Sequence, residues 1–189
     1  MLKLWKTGAK RFQCRRPVPG APTPRYNDGV PFVIRDFLPA DFETLWRIDQ
    51  TCFPAGISYS RAELRLYMRR RGAFTLIAVG GKPGDPAVSS ADGAIAGFIV
   101  AEAEARARGH IITIDVLPVA RRFGVGSLLL RAAEDRLIAA GCRSVELETA
   151  VDNLSALSFY KRHGYSVIKT FPRYYPNGVD ALVLEKTLV

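Results

Sequence analysis

The six residues Arg121-Arg122-Phe123-Gly124-Val125-Gly126 have the composition of an anion-binding turn. They lie between an apolar strand-like run, His110 to Leu117, and an amphipathic helix-like run, Ser127 to Ala140. Glycine lets the backbone turn and lets a ligand approach the chain closely. The first N–H groups of a helix have no intrahelical partner, and the helix dipole favours negative charge beside them. Two arginines add charge and forked donors suited to phosphate oxygens. The stretch 121–127 is therefore expected to hold a diphosphate-bearing ligand. Taken locally, it also fits a helix start with a solvated arginine pair. It lacks the third glycine and distant acid of the dinucleotide fingerprint, and no Gly-Lys-Ser/Thr follows as in the nucleoside-triphosphate loop.

Further along, proton-handling groups recur at regular spacing. Val145 to Thr149 reads as a short strand, which puts Glu146 and Glu148 on one face. Asp152-Asn153 opens a helix from Leu154 to Arg162, and Tyr160 lies seven residues, two turns, beyond Asn153 on the same face. Locally, Glu148 suits either a proton acceptor or a strand-end ion pair. Tyr160 suits a phenol donor or a core aromatic, and Asn153 a ligand contact or a helix cap. Tyr174 and Tyr175 precede Pro176-Asn177-Gly178, a turn signal, and could wall a channel or pack as ordinary strand aromatics.

Several elements must position these groups. Val30 to Arg35 reads as a first strand, with Pro31 placing its start at an edge. Ala40 to Asp49 reads as a helix, broken at Cys52-Phe53-Pro54-Ala55-Gly56. Ser60-Arg61-Ala62-Glu63 is a capping box opening a second helix to about Arg70. Strands follow at 73–79, 94–101 and 110–117, the first two separated by a Gly/Pro/Ser-rich loop. Gly141 ends the helix at 127–140, and strands at 165–169 and 181–185 close the chain as an antiparallel pair. The order β-α-α-β-β-β-α-β-α-β-β predicts an α/β (α+β) fold. Its sheet is mixed and mostly antiparallel, with six to seven strands and helices on both faces.

Charge separates the tail from the domain. The net charge is +9, and residues 1–30 hold seven basic side chains against one acid. That segment is rich in proline and without period, and is expected to be a disordered basic tail ahead of a folded domain at 31–189. It fits weak contact with RNA, ribosomes or acidic lipid, or a solvated extension. No apolar run is long enough to span a membrane or to serve as a secretory signal. Three widely spaced cysteines and two histidines suggest free thiols, no metal site and a cytoplasmic, reducing location.

With these motifs in order, the chain resembles the GNAT acyltransferases. Arg121-x-x-Gly124-x-Gly126 matches that family's coenzyme A pyrophosphate loop. Leu147-Glu148, Asn153, Ala156-Leu157-Ser158-Phe159-Tyr160 and Gly164-Tyr165 are similar to a run in its protein N-terminal acetyltransferase branch, which includes enzymes acting on ribosomal-protein alanine termini. Tyr174-Tyr175-Pro176 with Asp180-Ala181, and Ile48-Asp49 with Cys52-Phe53-Pro54, resemble further parts of that branch. The resemblance covers about residues 31 to 188 and implies the GNAT acyl-CoA N-acyltransferase fold. It implies acetyl-coenzyme A as cosubstrate, held by Ile114, Asp115 and Val116, by Arg121, Arg122, Phe123, Gly124, Val125, Gly126 and Ser127, and by Asn153. It implies Glu148 as base, with Glu146 not excluded, Tyr160 as acid, and Tyr174 and Tyr175 against the acceptor. The implied reaction is direct acetyl transfer to the α-amine of a protein or peptide N-terminus, with ribosomal proteins among the candidate acceptors. A lysine side chain, a small amine, or a non-catalytic coenzyme A-binding module are the alternatives.

Overall fold

The computed structural model describes residues 32–53, 57–81 and 94–188. The basic tail expected at 1–30 and most of the loop after residue 80 lie outside them. Seven strands form one sheet in the order β1-β2-β3-β4-β5-β7-β6. They are β1 (Phe32–Asp36), β2 (Ala73–Gly80), β3 (Ile95–Ala103), β4 (Arg108–Val116), β5 (Ser144–Ala150), β6 (Ser166–Phe171) and β7 (Ala181–Thr187). Every neighbouring pair is antiparallel except β4 and β5. The helix between those two strands forms the crossover that parallel pairing requires.

Four helices cover the sheet: α1 (Phe42–Cys52), α2 (Arg61–Met68), α3 (Val125–Ala139) and α4 (Leu154–Arg162). Phe42, Leu45, Ile48 and Leu64 of α1 and α2 pack with Ile77, Phe98 and Val100 on one face. Leu129, Leu130, Ala133 and Leu137 of α3 pack with Ile99, Ile111, Val145 and Leu147 on the other, joined by Tyr160 of α4. Strand β3 is covered on both sides, which is why its sequence is a nearly unbroken apolar run. Among the described residues no helix is long and apolar enough to cross a membrane.

Two helices have boundaries different from those read in the sequence, and one strand takes a place in the sheet that the sequence did not specify. The expected capping box at Ser60 is present, with its hydroxyl accepting from the Glu63 N–H and Glu63 accepting from the Ser60 N–H. Helix α1, in contrast, starts at Phe42 after a short 3-10 turn at Pro39–Asp41 and runs on to Cys52. Helix α3 starts at Val125, two residues early, because Gly124 in the left-handed region (φ 84) forms its N-cap. The closing pair is antiparallel as expected, but β7 inserts between β5 and β6.

Two features of β4 shape the site. First, Val100 pairs with Thr113 while Ala101 pairs with Ile111, so Ile112 is an extra, bulged residue. The bulge reverses which side chains face which helices. Ile111, Ile114 and Val116 pack toward α3, whereas Ile112 joins the α1 and α2 cluster. Second, β4 pairs with β5 only from Arg108–Ser144 to His110–Glu146. Beyond that point the two parallel strands part and leave a gap in the sheet.

Candidate active site

The loop at 121–127 closes the far end of that gap. Val125, Gly126 and Ser127 lie in the first turn of α3, so their N–H groups are the orphan donors expected of an anion site. Arg121, Arg122, Phe123 and Gly124 are exposed. Arg121 donates its Nε to the Val116 carbonyl at 3.0 Å, which ties the loop to the end of β4. A Cβ at Gly126 would lie 3.4 Å from the Phe159 ring, in ordinary van der Waals contact, so α3 and α4 lie side by side at this point. His163 is half-buried, and its Nε2 sits 3.0 Å from the Ser127 hydroxyl.

Strand β4 offers its main chain along the gap. The Leu117 N–H bonds to the Ala96 carbonyl at the start of β3. By strand alternation the main chain of Asp115 turns to β3 as well, and that of Ile114 and Val116 turns to the gap. A ligand lying in the gap would therefore meet the main chain of Ile114 and Val116, and not that of Asp115. The Val116 carbonyl already accepts from Arg121 and from the Cys52 thiol at 3.3 Å.

At the near end, where the strands begin to part, Glu148 is in an ion pair. Its Oε2 lies 2.8 Å from His110 Nε2, and His110 Nδ1 lies 3.6 Å from Glu102 Oε1. Arg70 completes the row by donating to Glu102 at 2.9 Å. Burial alone would push the His110 imidazole down, but hydrogen bonds that it donates to Glu102 and Glu148 outweigh it and hold it at about 10. His110 is thus an imidazolium at neutral pH, and charges alternate along Arg70, Glu102, His110 and Glu148. Glu146, on the same face, is held by Arg108 at 3.3 Å, and Arg108 also binds Glu104 at 2.7 Å. Ligand atoms of Glu102, Glu104 and His110 lie within 4.8 Å of one another. Arg70 and Arg108 already neutralise their carboxylates, which makes the cluster an ion-pair network.

This network has a testable pH signature. An unperturbed histidine titrates near 6.5. A folded-state value raised to about 10 contributes stability that is fully present below 6.5 and is lost as pH rises through 10. The wild-type advantage in melting temperature over His110→Gln is expected to shrink by roughly 10 °C between pH 7 and 10.5. A constant difference across that range, followed by circular dichroism, would show that His110 is not charged in the fold.

Tyrosines roof and floor the gap. Tyr160 is buried on the inward face of α4, edge-on to Phe159 and Tyr165. Burial, with Asp115 and Tyr175 nearby, pushes its phenol well above the ordinary value. Tyr174 and Tyr175 lie between β6 and β7, edge-on to one another at 5.2 Å. Burial and the adjacent Glu148 are among the causes that push both up to about 12. They therefore face the site across the gap from β4. From α1's side Tyr59 reaches the Ile112 carbonyl at 3.5 Å and packs at 5.1 Å from Tyr67. Asn153 acts as a cap: its Oδ1 accepts from the Ala156 N–H at 3.1 Å. Any cofactor contact from Asn153 falls to its amide NH2.

Of the residues singled out from the sequence, Glu148, Tyr174 and Tyr175 converge on one side of the gap, with Tyr160 beneath. The loop 121–127 is at its other end. Asp115 was expected beside the cofactor through its main chain, whereas the burial of its carboxylate and that of Asp49, and His110, Glu102 and Tyr59 as neighbours of the site, were not anticipated. One signal for the bulge was available: the doublet Ile111-Ile112 breaks the period-two alternation of β4.

Comparison with known proteins gives this geometry a context. A family model described as the acetyltransferase (GNAT) family matches residues 42–165. An archaeal protein of Methanocaldococcus jannaschii, named an uncharacterized N-acetyltransferase, is 36% identical over 100 residues, 52% of this chain and 64% of that protein. The chain thus spans less than two-thirds of that relative's length. N-alpha-acetyltransferase 30 of Saccharomyces cerevisiae is 32% identical over 126 residues, 67% of this chain and 70% of the yeast protein. Among solved structures, a chain of the NatC complex bound to Gag peptide and CoA superimposes with a TM-score of 0.70 and 26% identity. That match covers 84% of this chain and 99% of that one.

Proposed function

Because the chain belongs to the GNAT acetyltransferase family, we propose that it transfers an acetyl group from acetyl-coenzyme A to the α-amine of a protein or peptide N-terminus. The observation that carries this reading is the mouth of the gap between β4 and β5. Tyr175 lies within electrostatic reach of both Glu148 and Tyr160 there, Tyr174 lies within reach of Glu148, and a helix start with free N–H groups stands at the opposite end. Similarity to N-alpha-acetyltransferase 30 and to a complex holding peptide and CoA supports the choice of acceptor.

In this reading the first turn of α3, with Arg121 and Arg122, binds the pyrophosphate of the cofactor. Its pantetheine arm lies along the open side of β4 and meets the main chain of Ile114. The thioester then sits where the strands part. The acceptor amine gives up a proton toward Glu148, directly or through water, and attacks the thioester carbonyl. The carbon–sulfur bond of the resulting tetrahedral adduct breaks, and the Tyr160 hydroxyl protonates the departing thiolate. A strong base is not required, since about a tenth of an α-amine with a pKa near 8 is already neutral at pH 7. The acyl donor reacts with the acceptor directly, so no nucleophilic side chain is needed. Tyr174 and Tyr175 are rigid walls that order a short peptide end at small entropic cost.

The test is acetyl transfer from labelled acetyl-coenzyme A to paired peptides. Each pair holds a free N-terminus without lysine and a blocked N-terminus with an internal lysine. Label confined to free N-termini is the expected result. Label on the blocked peptides would move the acceptor to lysine, and label on neither would remove peptides as acceptors.

A further inference from the structure

Two buried carboxylates on the α1 side of the sheet have no part in the chemistry above. Asp115 is 1% exposed and Asp49 is 0% exposed. Asp115 lies in β4 beyond the bulge, on the stretch that β5 has left. Asp49 is on the inward face of α1, which packs over that stretch. Each carboxylate is half satisfied. Thr113 donates to Asp115 Oδ1 at 2.8 Å, and Asp115 Oδ2 has no donor. The Tyr59 N–H and the Gln50 amide donate to Asp49 Oδ2 at 2.8 and 2.9 Å, and Asp49 Oδ1 has no donor.

The surroundings sharpen what is missing. Besides each other, the charged and titratable groups facing the pair are Cys52, Tyr59, Glu63, Tyr160 and Arg121. The only cation among them, Arg121, directs its Nε to the Val116 carbonyl. Burial, with the Asp49 charge adding to it, holds Asp115 well above the usual carboxylate range, and burial, with Glu63 nearby, holds Asp49 up to about 6. With Asp49 at about 6, the pair keeps negative charge at neutral pH. A buried acceptor oxygen without a donor is destabilising. A small cation carrying several N–H donors would satisfy both open oxygens and the charge together.

We propose that Asp49 and Asp115 form the docking site for the ammonium group of the acceptor, each open oxygen accepting one of its N–H bonds. This rests on the amine-acetylation reading given above. The acceptor of that reaction arrives mostly as an ammonium ion at neutral pH. The pair is placed for it: Asp115 adjoins Ile114, whose main chain faces the gap, and Tyr160 senses the Asp115 charge. Once docked, the ammonium has a third N–H left for the proton acceptor. Asp49 and Asp115 would thereby set the acceptor's affinity, and Glu148 and Tyr160 the rate.

The experiment measures binding to the complex with coenzyme A, which carries no acetyl group to transfer. Titration calorimetry would compare a free-amine peptide, the same peptide already acetylated, and spermidine as a small amine. Wild type is expected to prefer the free-amine peptide. Asp115→Asn keeps the shape and the Thr113 contact, and is expected to weaken the free-amine peptide tenfold or more. The acetylated peptide and coenzyme A itself should bind as before. Asp49→Asn, on a different element, is expected to act alike and carries the test should Asp115→Asn fail to fold. Equal loss for free and acetylated peptides, or no loss for either, overturns the proposal. Should peptides fail but spermidine bind, the same loss in the variants keeps the ammonium site and changes only the acceptor. Binding of no amine by wild type overturns both readings.

Discussion

Tyr160→Phe is expected to lower kcat by about 100-fold or more, with coenzyme A affinity changed less than about twofold. The substitution removes one oxygen and keeps the ring that Phe159 and Tyr165 pack against. A volume-conserving swap of this kind leaves a core largely intact. The phenol is suited to an acid's role because it stays protonated. Burial holds it above its ordinary value, and the nearby Asp115 and Tyr175 push the same way. A thiolate leaving group is less basic than a phenolate, with reference pKa values near 8.5 and 10. Full proton transfer is therefore uphill from Tyr160 in water, and hydrogen-bond donation to the developing charge contributes most of the effect. Single-turnover acetyl transfer with saturating cofactor measures this step directly. An unchanged rate, with an unchanged melting temperature, would reduce Tyr160 to a core aromatic.

Local signals carried the fold a long way. The strand–helix–strand from β4 to β5 was legible because a helix between two apolar runs forces parallel pairing. The Ser60 capping box and the glycine after α3 marked helix ends through backbone hydrogen-bond chemistry, which depends only on nearby residues. Insertion of β7 between β5 and β6 was not legible. Strand order is a property of pairing between residues far apart, and the alternation of Ala181 to Glu185 is the same whichever neighbour it has. The early start of α3 was missed for a local reason. Gly124 and Gly126 look alike in sequence, yet only Gly124 has positive φ and caps the helix.

The site was legible in its parts and not in its wiring. Glu148, Tyr160 and the loop 121–127 stand at motif spacings. His110 becomes a partner of Glu148 only through the β4–β5 register, which sets His110 opposite Glu146. Asp115 gave no hint of a buried side chain, because the bulge at Ile112 shifts the faces of every residue after it. A strand read with unbroken alternation would place Asp115 with Ile111 on the α3 side. The bulge instead turns it toward Asp49, 66 positions earlier in the chain.

Glu148→Gln is the change with the most informative pH dependence. At pH 7 it is expected to reduce kcat/KM by about 100-fold or more, the contribution of a positioned proton acceptor. The loss should shrink as pH rises. An α-amine with a pKa near 8 goes from about a tenth neutral at pH 7 to mostly neutral at pH 9, so the solvent supplies roughly a tenfold gain. The His110 pairing does not remove this logic. His110 uses Glu148 Oε2, on the side away from the gap's far end, and its imidazolium persists up to about pH 10. Across pH 7 to 9 its charge state is therefore constant, and the change in the variant's deficit reports on the amine. Glu146→Gln provides the contrast: Glu146 is held by Arg108, and its loss should be small and flat with pH. A flat deficit for Glu148→Gln would assign it to the ion-pair network alone. A larger, pH-dependent deficit for Glu146→Gln would transfer the proton-accepting role to that residue.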